Sequence, residues 1–97
     1  MAAAMTAALL APTAPAQAGP LRCPVSGTMD YGHTYYKRCE DGPNAQYGGK
    51  YAVNVQFCGP SGCWRAQTDW ELYGHTASMY STYGTYSAGS AYVKTQS

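Results

Sequence analysis

Apolar and polar residues alternate most clearly between residues 50 and 73. The first run places four large apolar residues on one face of an extended chain: Tyr51, Val53, Val55 and Phe57. The second run alternates in the same way from Trp64 to Leu72. A repeat of two residues is the period of a half-buried strand. The segment therefore predicts two strands joined by a turn at residues 59–62, Gly-Pro-Ser-Gly.

Two cysteines bracket this turn, and they predict the register of the hairpin. If Cys58 lies opposite Cys63, every later pair along the two strands is fixed. The apolar pairs are then Phe57 with Trp64, Val55 with Ala66 and Tyr51 with Trp70. The polar pairs are Gln56 with Arg65, Asn54 with Gln67 and Lys50 with Glu71. This register keeps the two faces separate and assigns Trp64 to the core.

The rest of the chain also predicts strands. Residues 19–30 contain two prolines and are expected to be irregular, whereas the Tyr- and Thr-rich segment from Met29 to Cys39 predicts a first strand. Turn formers follow at residues 40–44, Gly74 breaks the hairpin pattern, and residues 76–94 predict two more strands with turns or bulges at Gly84 and Gly89. No apolar face recurs at helical spacing. We expect an all-β fold, a small disulfide-stapled antiparallel β-sandwich or curled sheet of five or six strands.

The N-terminal segment is typical of a secretory signal. Residues 1–18 carry no charge, contain a short apolar run and end in Ala-Gln-Ala, the pattern of a signal peptide and its cleavage site. No Lys or Arg precedes Arg22, so the positive start of such a signal is missing and the true start is expected upstream. We therefore expect residues 19–97 to form a single secreted domain without a transmembrane segment.

Four cysteines in an exported chain predict two disulfides. Three pairings are possible, and the hairpin geometry favours Cys58 with Cys63, which leaves Cys23 with Cys39. The second bridge closes a loop of about 15 residues and contributes on the order of 3 kcal/mol. With ten Tyr, two Trp and one Phe, the core must be built largely from aromatic rings, and many tyrosines are expected to keep one edge in water.

Charge and motif content argue against several functional classes. The formal net charge is +1 and basic residues are not clustered, so nucleic acid is not an expected partner. A metal site would require the fold to bring the two histidines together with a carboxylate such as Asp30 or Glu71, and the cysteines are better used in disulfides. No nucleophile elbow is present. We expect no enzymatic activity, no metal and no cofactor.

The Tyr-, Ser- and Gly-rich segment from Tyr73 to Tyr92 is the most suggestive candidate for binding. Tyrosine offers rigid amphipathic contact area, and Ser and Gly allow the surface to adapt. The candidate binding residues are Tyr80, Tyr83 and Tyr86, with Arg65 as a cationic donor on the hairpin. Tyrosine is also a good strand residue, and these rings would then alternate between core and surface without binding anything.

A short repeat contains both histidines of the chain. Tyr-Gly-His-Thr occurs at residues 31–34 and again at residues 73–76. A duplicated half-domain is one explanation. Because the identity stops at four residues in a Tyr- and Gly-rich chain, we favour coincidence or shared turn chemistry.

The order of several short motifs resembles the lactococcin 972 family of secreted bacteriocins. The similar pieces are Gly27-Thr28 before Tyr31-Gly32, Tyr47-Gly48-Gly49-Lys50 before a Val-containing strand, Gly62-x-Trp64 before Ala66, Ala77-Ser78-Met79-Tyr80, and Ala91-Tyr92-Val93-Lys94-Thr95. The chain departs from the family at Met29, where Trp is usual, and in having cysteines. The resemblance implies a β-sandwich that binds the cell-wall precursor lipid II and blocks septum formation without enzymatic activity.

A second class of function fits the same scaffold. Small secreted β domains with two disulfides are similar in size and cysteine count to the amylase-inhibitor type. In this interpretation the partner is a secreted or surface protein, and the turn at residues 59–62, held by its flanking bridge, is the inhibitory tip.

Overall fold

The computed structural model describes residues 20–96 and shows an all-β fold. The described part contains eight strands: β1 (Val25–Met29), β2 (Thr34–Arg38), β3 (Lys50–Gly59), β4 (Gly62–Gln67), β5 (Glu71–Leu72), β6 (Thr76–Tyr80), β7 (Thr85–Tyr86) and β8 (Tyr92–Gln96). Two short 3-10 turns interrupt them, at Asp30–Gly32 and Ala45–Tyr47. The predicted signal peptide, residues 1–18, lies outside the described residues. No helix within residues 20–96 is long and apolar enough to cross a membrane.

The strands form two antiparallel sheets. Strands β1, β2 and β6 make the smaller sheet, with β2 in the middle. In the larger sheet β3 is central: β4 and β5 pair along one edge, and β7 and β8 pair along the other. The longest and most apolar strand therefore has partners on both sides, which satisfies its backbone hydrogen bonds.

The core lies between the two sheets, and the alternation of β3 predicts its centre correctly. The four apolar residues of one β3 face are completely buried: Tyr51, Val53, Val55 and Phe57. Tyr35 and Cys39 from the β2 segment and Ala77 of β6 pack against them. Aromatic pairs extend this core, with ring centroids 4.4 Å apart for Tyr35 and Tyr86 and 5.4 Å apart for Tyr51 and Tyr73. The predicted sandwich is confirmed.

Both predicted disulfides are present. Cys58–Cys63 joins β3 to β4 beside their turn, and Cys23–Cys39 joins the segment before β1 to the end of β2. Backbone hydrogen bonds support the second bridge, because Arg22 N–H donates to Asp41 O and Glu40 N–H donates to Arg22 O, each at 2.8 Å. The bridge thus anchors the chain ahead of the first strand.

The predicted hairpin register is confirmed near the turn and wrong at the far end. Cys58 pairs with Cys63, and the predicted pairing continues to Asn54 opposite Gln67. Beyond that point Tyr51 lies opposite Glu71, instead of Trp70, and Lys50 lies opposite Leu72, instead of Glu71. One extra residue has entered the returning strand between β4 and β5, which is the signature of a β-bulge.

The prediction of one strand from Met29 to Cys39 is also wrong. The turn at Asp30–Gly32 divides that segment, and β1 comes from residues that were expected to be irregular. Three consecutive residues have positive φ there, 56° for Asp30, 56° for Tyr31 and 90° for Gly32, which a continuous strand cannot accommodate. This added hairpin and the two-residue strands β5 and β7 raise the number of strands in residues 20–96 above the expected five or six.

Trp64 is less buried than predicted. Its side chain is 37% exposed, although its ring stacks on Phe57 with centroids 6.4 Å apart. Strand β4 is an edge strand, so no further strand lies beside it to cover the indole. Gly74 ends the hairpin pattern as predicted, with φ of 94°, and the predicted turn at Gly89 is confirmed, with φ of 79°.

Candidate functional site

Three loops meet at one end of the sandwich. They are the turn at residues 30–33, the loop at residues 81–84 and the hairpin turn at residues 59–62, which we call together the aromatic end. Ser81 N–H donates to His33 O at 2.8 Å, which joins the first two loops. A Cβ atom on Gly59 would lie 2.5 Å from the carbonyl oxygen of Tyr83, so the third loop packs directly against the second.

The turn at residues 30–33 presents Tyr31 completely to solvent. The side chain of Tyr31 is 100% exposed, on a backbone in the left-handed region. Such a conformation costs a non-glycine residue about 1–3 kcal/mol and persists only where the surroundings impose it. Here Asp30 imposes it, because its carboxylate accepts a hydrogen bond from Thr34 Oγ1 at 2.7 Å and its carbonyl accepts one from His33 N–H at 3.1 Å.

Two further exposed rings lie at the loop of residues 81–84, one just before it and one within it. Tyr80 at the end of β6 is 60% exposed and Tyr83 is 82% exposed. His33 supports this loop, since its Nδ1 lies 2.9 Å from Ser81 O. A carbonyl oxygen only accepts, so Nδ1 must carry the proton and donate. The His33 ring also lies 6.3 Å from the Tyr80 ring, and the two loops hold one another in place.

The hairpin turn completes the aromatic end with Trp64. A Cβ atom on Gly84 would lie 2.5 Å from Cη2 of Trp64, so the indole lies across this glycine. Cys58–Cys63 fixes the two strands immediately below the turn. The indole is thereby placed beside the loop that carries Tyr83.

Exposed apolar area is concentrated at this end. Among the described residues, nine large hydrophobic side chains are exposed, and five of them belong to the aromatic end or directly adjoin it: Met29, Tyr31, Trp64, Tyr80 and Tyr83. Charge is almost absent there, since Asp30 is the single Asp, Glu, Lys or Arg in residues 29–34, 59–64 and 80–85. Clustered exposed apolar side chains mark interaction surfaces.

Two of the four predicted binding residues lie at the aromatic end. Tyr80 and Tyr83 do, whereas Tyr86 is half-buried against Tyr35 and belongs to the edge of the core. Arg65 lies apart on the outer face of the larger sheet. Its guanidinium donates to Asn54 Oδ1 and to Ser90 O, at 2.6 Å from the latter, and lies 5.1 Å from the centre of the Tyr92 ring. Arg65 therefore links two edges of the sheet and does not join the tyrosines.

Sequence reasoning missed Tyr31 and Trp64 as members of this surface. The repeat at residues 31–34 could have indicated that Tyr31 lies in a turn and not in a strand. Both copies place Tyr-Gly in a turn, with φ of 90° at Gly32 and 94° at Gly74, and both place Thr at the start of a strand. Shared turn chemistry therefore accounts for the repeat.

The two histidines lie on different elements, and no group of three or more His, Cys, Asp or Glu side chains in residues 20–96 could hold a metal ion. No pocket is found in the same part of the chain. Comparison with known proteins adds no relative: no family model matches the chain, and neither a curated protein nor a solved structure does.

Proposed function

We propose that this chain is a secreted, non-enzymatic binding protein that inhibits bacterial growth at the cell envelope and contacts its target through the aromatic end. The observation that carries the proposal is the gathering of Tyr31, Tyr80 and Tyr83 on adjoining loops of a stapled scaffold. Rigid tyrosine rings supply contact area at little cost in conformational entropy. The resemblance to the lactococcin 972 family supports the choice of the envelope.

The surroundings of these rings also support a binding role. The Asp30 carboxylate and the His33 imidazole, which carry the polar chemistry of this end, are hydrogen-bonded within the protein. They hold loops in place, which prepares a surface before its target arrives. Two disulfides are typical of chains that pass through an oxidising compartment, in agreement with secretion.

The test is growth inhibition by the oxidised protein added to Gram-positive cells. We expect arrest at the septum that exogenous lipid II relieves, and loss of this effect in the triple variant Tyr31→Ala, Tyr80→Ala, Tyr83→Ala. Tyr47→Ala is the matched control, because Tyr47 is 62% exposed, close to the 60% of Tyr80, but lies before β3 at the opposite end. If the wild type and the triple variant arrest growth equally, the aromatic end does not contact the target.

A protein target is the second candidate, favoured by the hairpin turn. Residues 59–62 protrude beside Tyr83 and are clamped by Cys58–Cys63, the arrangement of a rigid inhibitory loop. In that case growth is unaffected and the protein inhibits a protease or a glycosidase. Replacing Pro60 and Ser61 with alanine would then abolish inhibition while the fold, followed by circular dichroism, stays intact.

A further inference from the structure

The exposed rings of the aromatic end project outward. Tyr31 is 100% exposed, Tyr83 82% and Tyr80 60%, so most of each ring surface touches no other residue of the protein. Met29 adds a flexible apolar side chain that is 51% exposed, and Trp64 adds an indole edge. A ligand that covers such rings must surround them, because they do not line a cleft. The layer of headgroups at a bilayer surface meets that requirement.

The chemistry of these side chains fits the same layer. Tyrosine and tryptophan combine an apolar ring with one polar group, and for that reason they concentrate at membrane–water interfaces. Of the aromatic residues at this end, three are tyrosines whose hydroxyls can remain in water while the rings are covered.

Three polar groups at this end have partners within the protein. The Asp30 carboxylate accepts from Thr34, His33 Nδ1 donates to Ser81 O, and Ser81 N–H donates to His33 O. Partial dehydration therefore does not leave these three groups unpaired in an apolar medium, where each would be costly.

The distribution of charge distinguishes this surface from an electrostatic membrane anchor. Arg65 is the basic residue nearest to Trp64 along the chain, and its guanidinium is held over the larger sheet by Asn54, Ser90 and Tyr92. Lys50 begins β3, and Lys94 pairs with Ala52 on the half of that strand farther from the hairpin turn. Attraction to anionic lipid needs basic residues at the surface, so the aromatic end would not depend on it.

We propose that the aromatic end inserts into the headgroup layer of a lipid bilayer, with Tyr31, Tyr80 and Tyr83 among the headgroups and Trp64 at the margin. The inference rests on the proposed function and deepens it, since it places the protein on the membrane surface where envelope precursors are exposed. Interfacial binding draws on buried apolar area and on attraction to anionic lipid. Because residues 29–34, 59–64 and 80–85 contain no Lys or Arg, this insertion would depend on the apolar area.

The two tryptophans allow a direct test, because they lie on different parts of the molecule. Trp64 adjoins the aromatic end, whereas Trp70 is half-buried in the connection between β4 and β5. The variant Trp70→Phe leaves Trp64 as the single tryptophan, and Trp64→Phe leaves Trp70 as the matched control. Each oxidised protein is titrated with vesicles of pure phosphatidylcholine and of phosphatidylcholine mixed with phosphatidylglycerol. Brominated lipids provide depth-dependent quenching.

We expect Trp64 emission to shift to shorter wavelength and to be quenched by brominated lipid, with Trp70 unchanged. Binding should be similar for the two vesicle compositions and insensitive to salt. The triple tyrosine variant should bind at least about tenfold more weakly, and Tyr47→Ala should bind like the wild type. Failure to bind both vesicle compositions would overturn the inference. Binding only to the anionic vesicles in low salt would also overturn it, as would quenching of Trp70 in place of Trp64.

Vesicle binding and growth assays together distinguish bilayer insertion from the proposed growth inhibition. If vesicles bind the protein only after lipid II is added, the end recognises the precursor itself, so insertion is refuted while the growth-inhibitory function stands. If vesicles bind but cells grow normally, insertion is supported and the proposed growth inhibition fails. Tyrosine-dependent growth arrest without any vesicle binding also refutes insertion.

Discussion

Thr68 completes the backbone pairing of Val53 with its side chain. The N–H of Val53 donates to Thr68 Oγ1 at 3.0 Å, and the N–H of Thr68 donates to Val53 O at the same distance. The threonine hydroxyl donates in turn to Asp69 O at 3.0 Å. The hydroxyl thus takes the place of a strand carbonyl at the point where β4 ends, and this permits the extra residue that shifts the register before β5.

Removal of that hydroxyl should destabilise the fold. Thr68→Val keeps the shape of the side chain but leaves the Val53 N–H without its acceptor, and both residues are buried. A buried unsatisfied donor costs about 1–3 kcal/mol. We expect the free energy of unfolding in urea to fall by that amount. Thr68→Ser retains the hydroxyl and should lose much less. Equal losses for the two variants would show that the methyl group, and not the hydrogen bond, matters at this site.

The same residue shows what could be predicted from the sequence and what could not. The alternation of residues 51–57 and the cysteines beside the turn determine the core face and the register near the turn, because a slip would expose the apolar face. The far end of the hairpin depends on Thr68, which occupied an ordinary strand position in the pattern. The pattern of apolar and polar residues cannot show that a side-chain hydroxyl accepts a hydrogen bond in place of a backbone carbonyl.

The candidate site was only partly predictable for a related reason. Tyr80 and Tyr83 stand in a segment whose composition attracts attention. The sequence predicts a strand at Tyr31, because no local pattern indicates a left-handed turn at Asp30. Hydrogen bonds between His33 and Ser81, which are distant in sequence, join this turn to the tyrosine loop. Contacts between residues distant in sequence determined which rings share a surface.

Alanine substitutions at Tyr86 and Tyr83 should differ in their effect on the free energy of unfolding. Tyr86 packs against Tyr35 and lies opposite Phe57, so Tyr86→Ala should lower the free energy of unfolding by about 2 kcal/mol. Tyr83 is 82% exposed, and Tyr83→Ala should change it by less than about 0.5 kcal/mol. Urea denaturation followed by fluorescence measures both. A Tyr86→Ala variant as stable as the wild type would show that Tyr86 does not support the core, and it would again be a candidate binding residue.

The two disulfides should contribute unequally to stability. Cys23 and Cys39 are separated by 16 residues and Cys58 and Cys63 by 5, so from chain entropy alone the first bridge contributes about 1 kcal/mol more. Cys39 is also completely buried, whereas Cys63 is exposed. We expect the pair Cys23→Ala, Cys39→Ala to lower the melting temperature more than Cys58→Ala, Cys63→Ala. The reverse order would mean that the hairpin turn controls folding.

Alkaline conditions should weaken the fold through three tyrosines that are wholly or partly buried. Burial raises the pKa of Tyr35, Tyr51 and Tyr73 above the ordinary value of 10.0. Above pH 10.0 the unfolded chain loses these protons while the folded protein retains them, so the unfolded state binds fewer protons and stability falls as pH rises. The contribution is complete below pH 10.0 and is lost as pH rises through the folded pKa values.

Tyr73→Phe tests the alkaline effect cleanly. The Tyr73 hydroxyl makes one weak hydrogen bond, to Pro43 O at 3.5 Å, so its removal should cost little at neutral pH. The variant should nevertheless lose less stability than the wild type when the pH is raised above 10.0, and Tyr47→Phe, at an exposed ring, should not. Urea midpoints across this pH range give the comparison. Parallel pH profiles for Tyr73→Phe and the wild type would contradict the assignment.

Gly59 should be difficult to replace, because its position leaves no room for a side chain. A Cβ atom there would lie 2.5 Å from the carbonyl oxygen of Tyr83, and backbone cannot move aside as a flexible side chain can. Gly59→Ala should therefore push the hairpin turn away from the loop at residues 81–84 and cost about 1–3 kcal/mol. Ser61→Ala is the control, because Ser61 is exposed in the same turn.

The consequence of Gly59→Ala should also appear at the aromatic end. Separation of the two loops moves the Tyr83 segment away from Trp64, whose indole lies across Gly84. In the Trp70→Phe background, Gly59→Ala should make Trp64 more accessible to a soluble quencher such as acrylamide, whereas Ser61→Ala should not. Unchanged quenching together with full stability would show that the two loops are held together by contacts other than the close approach at Gly59.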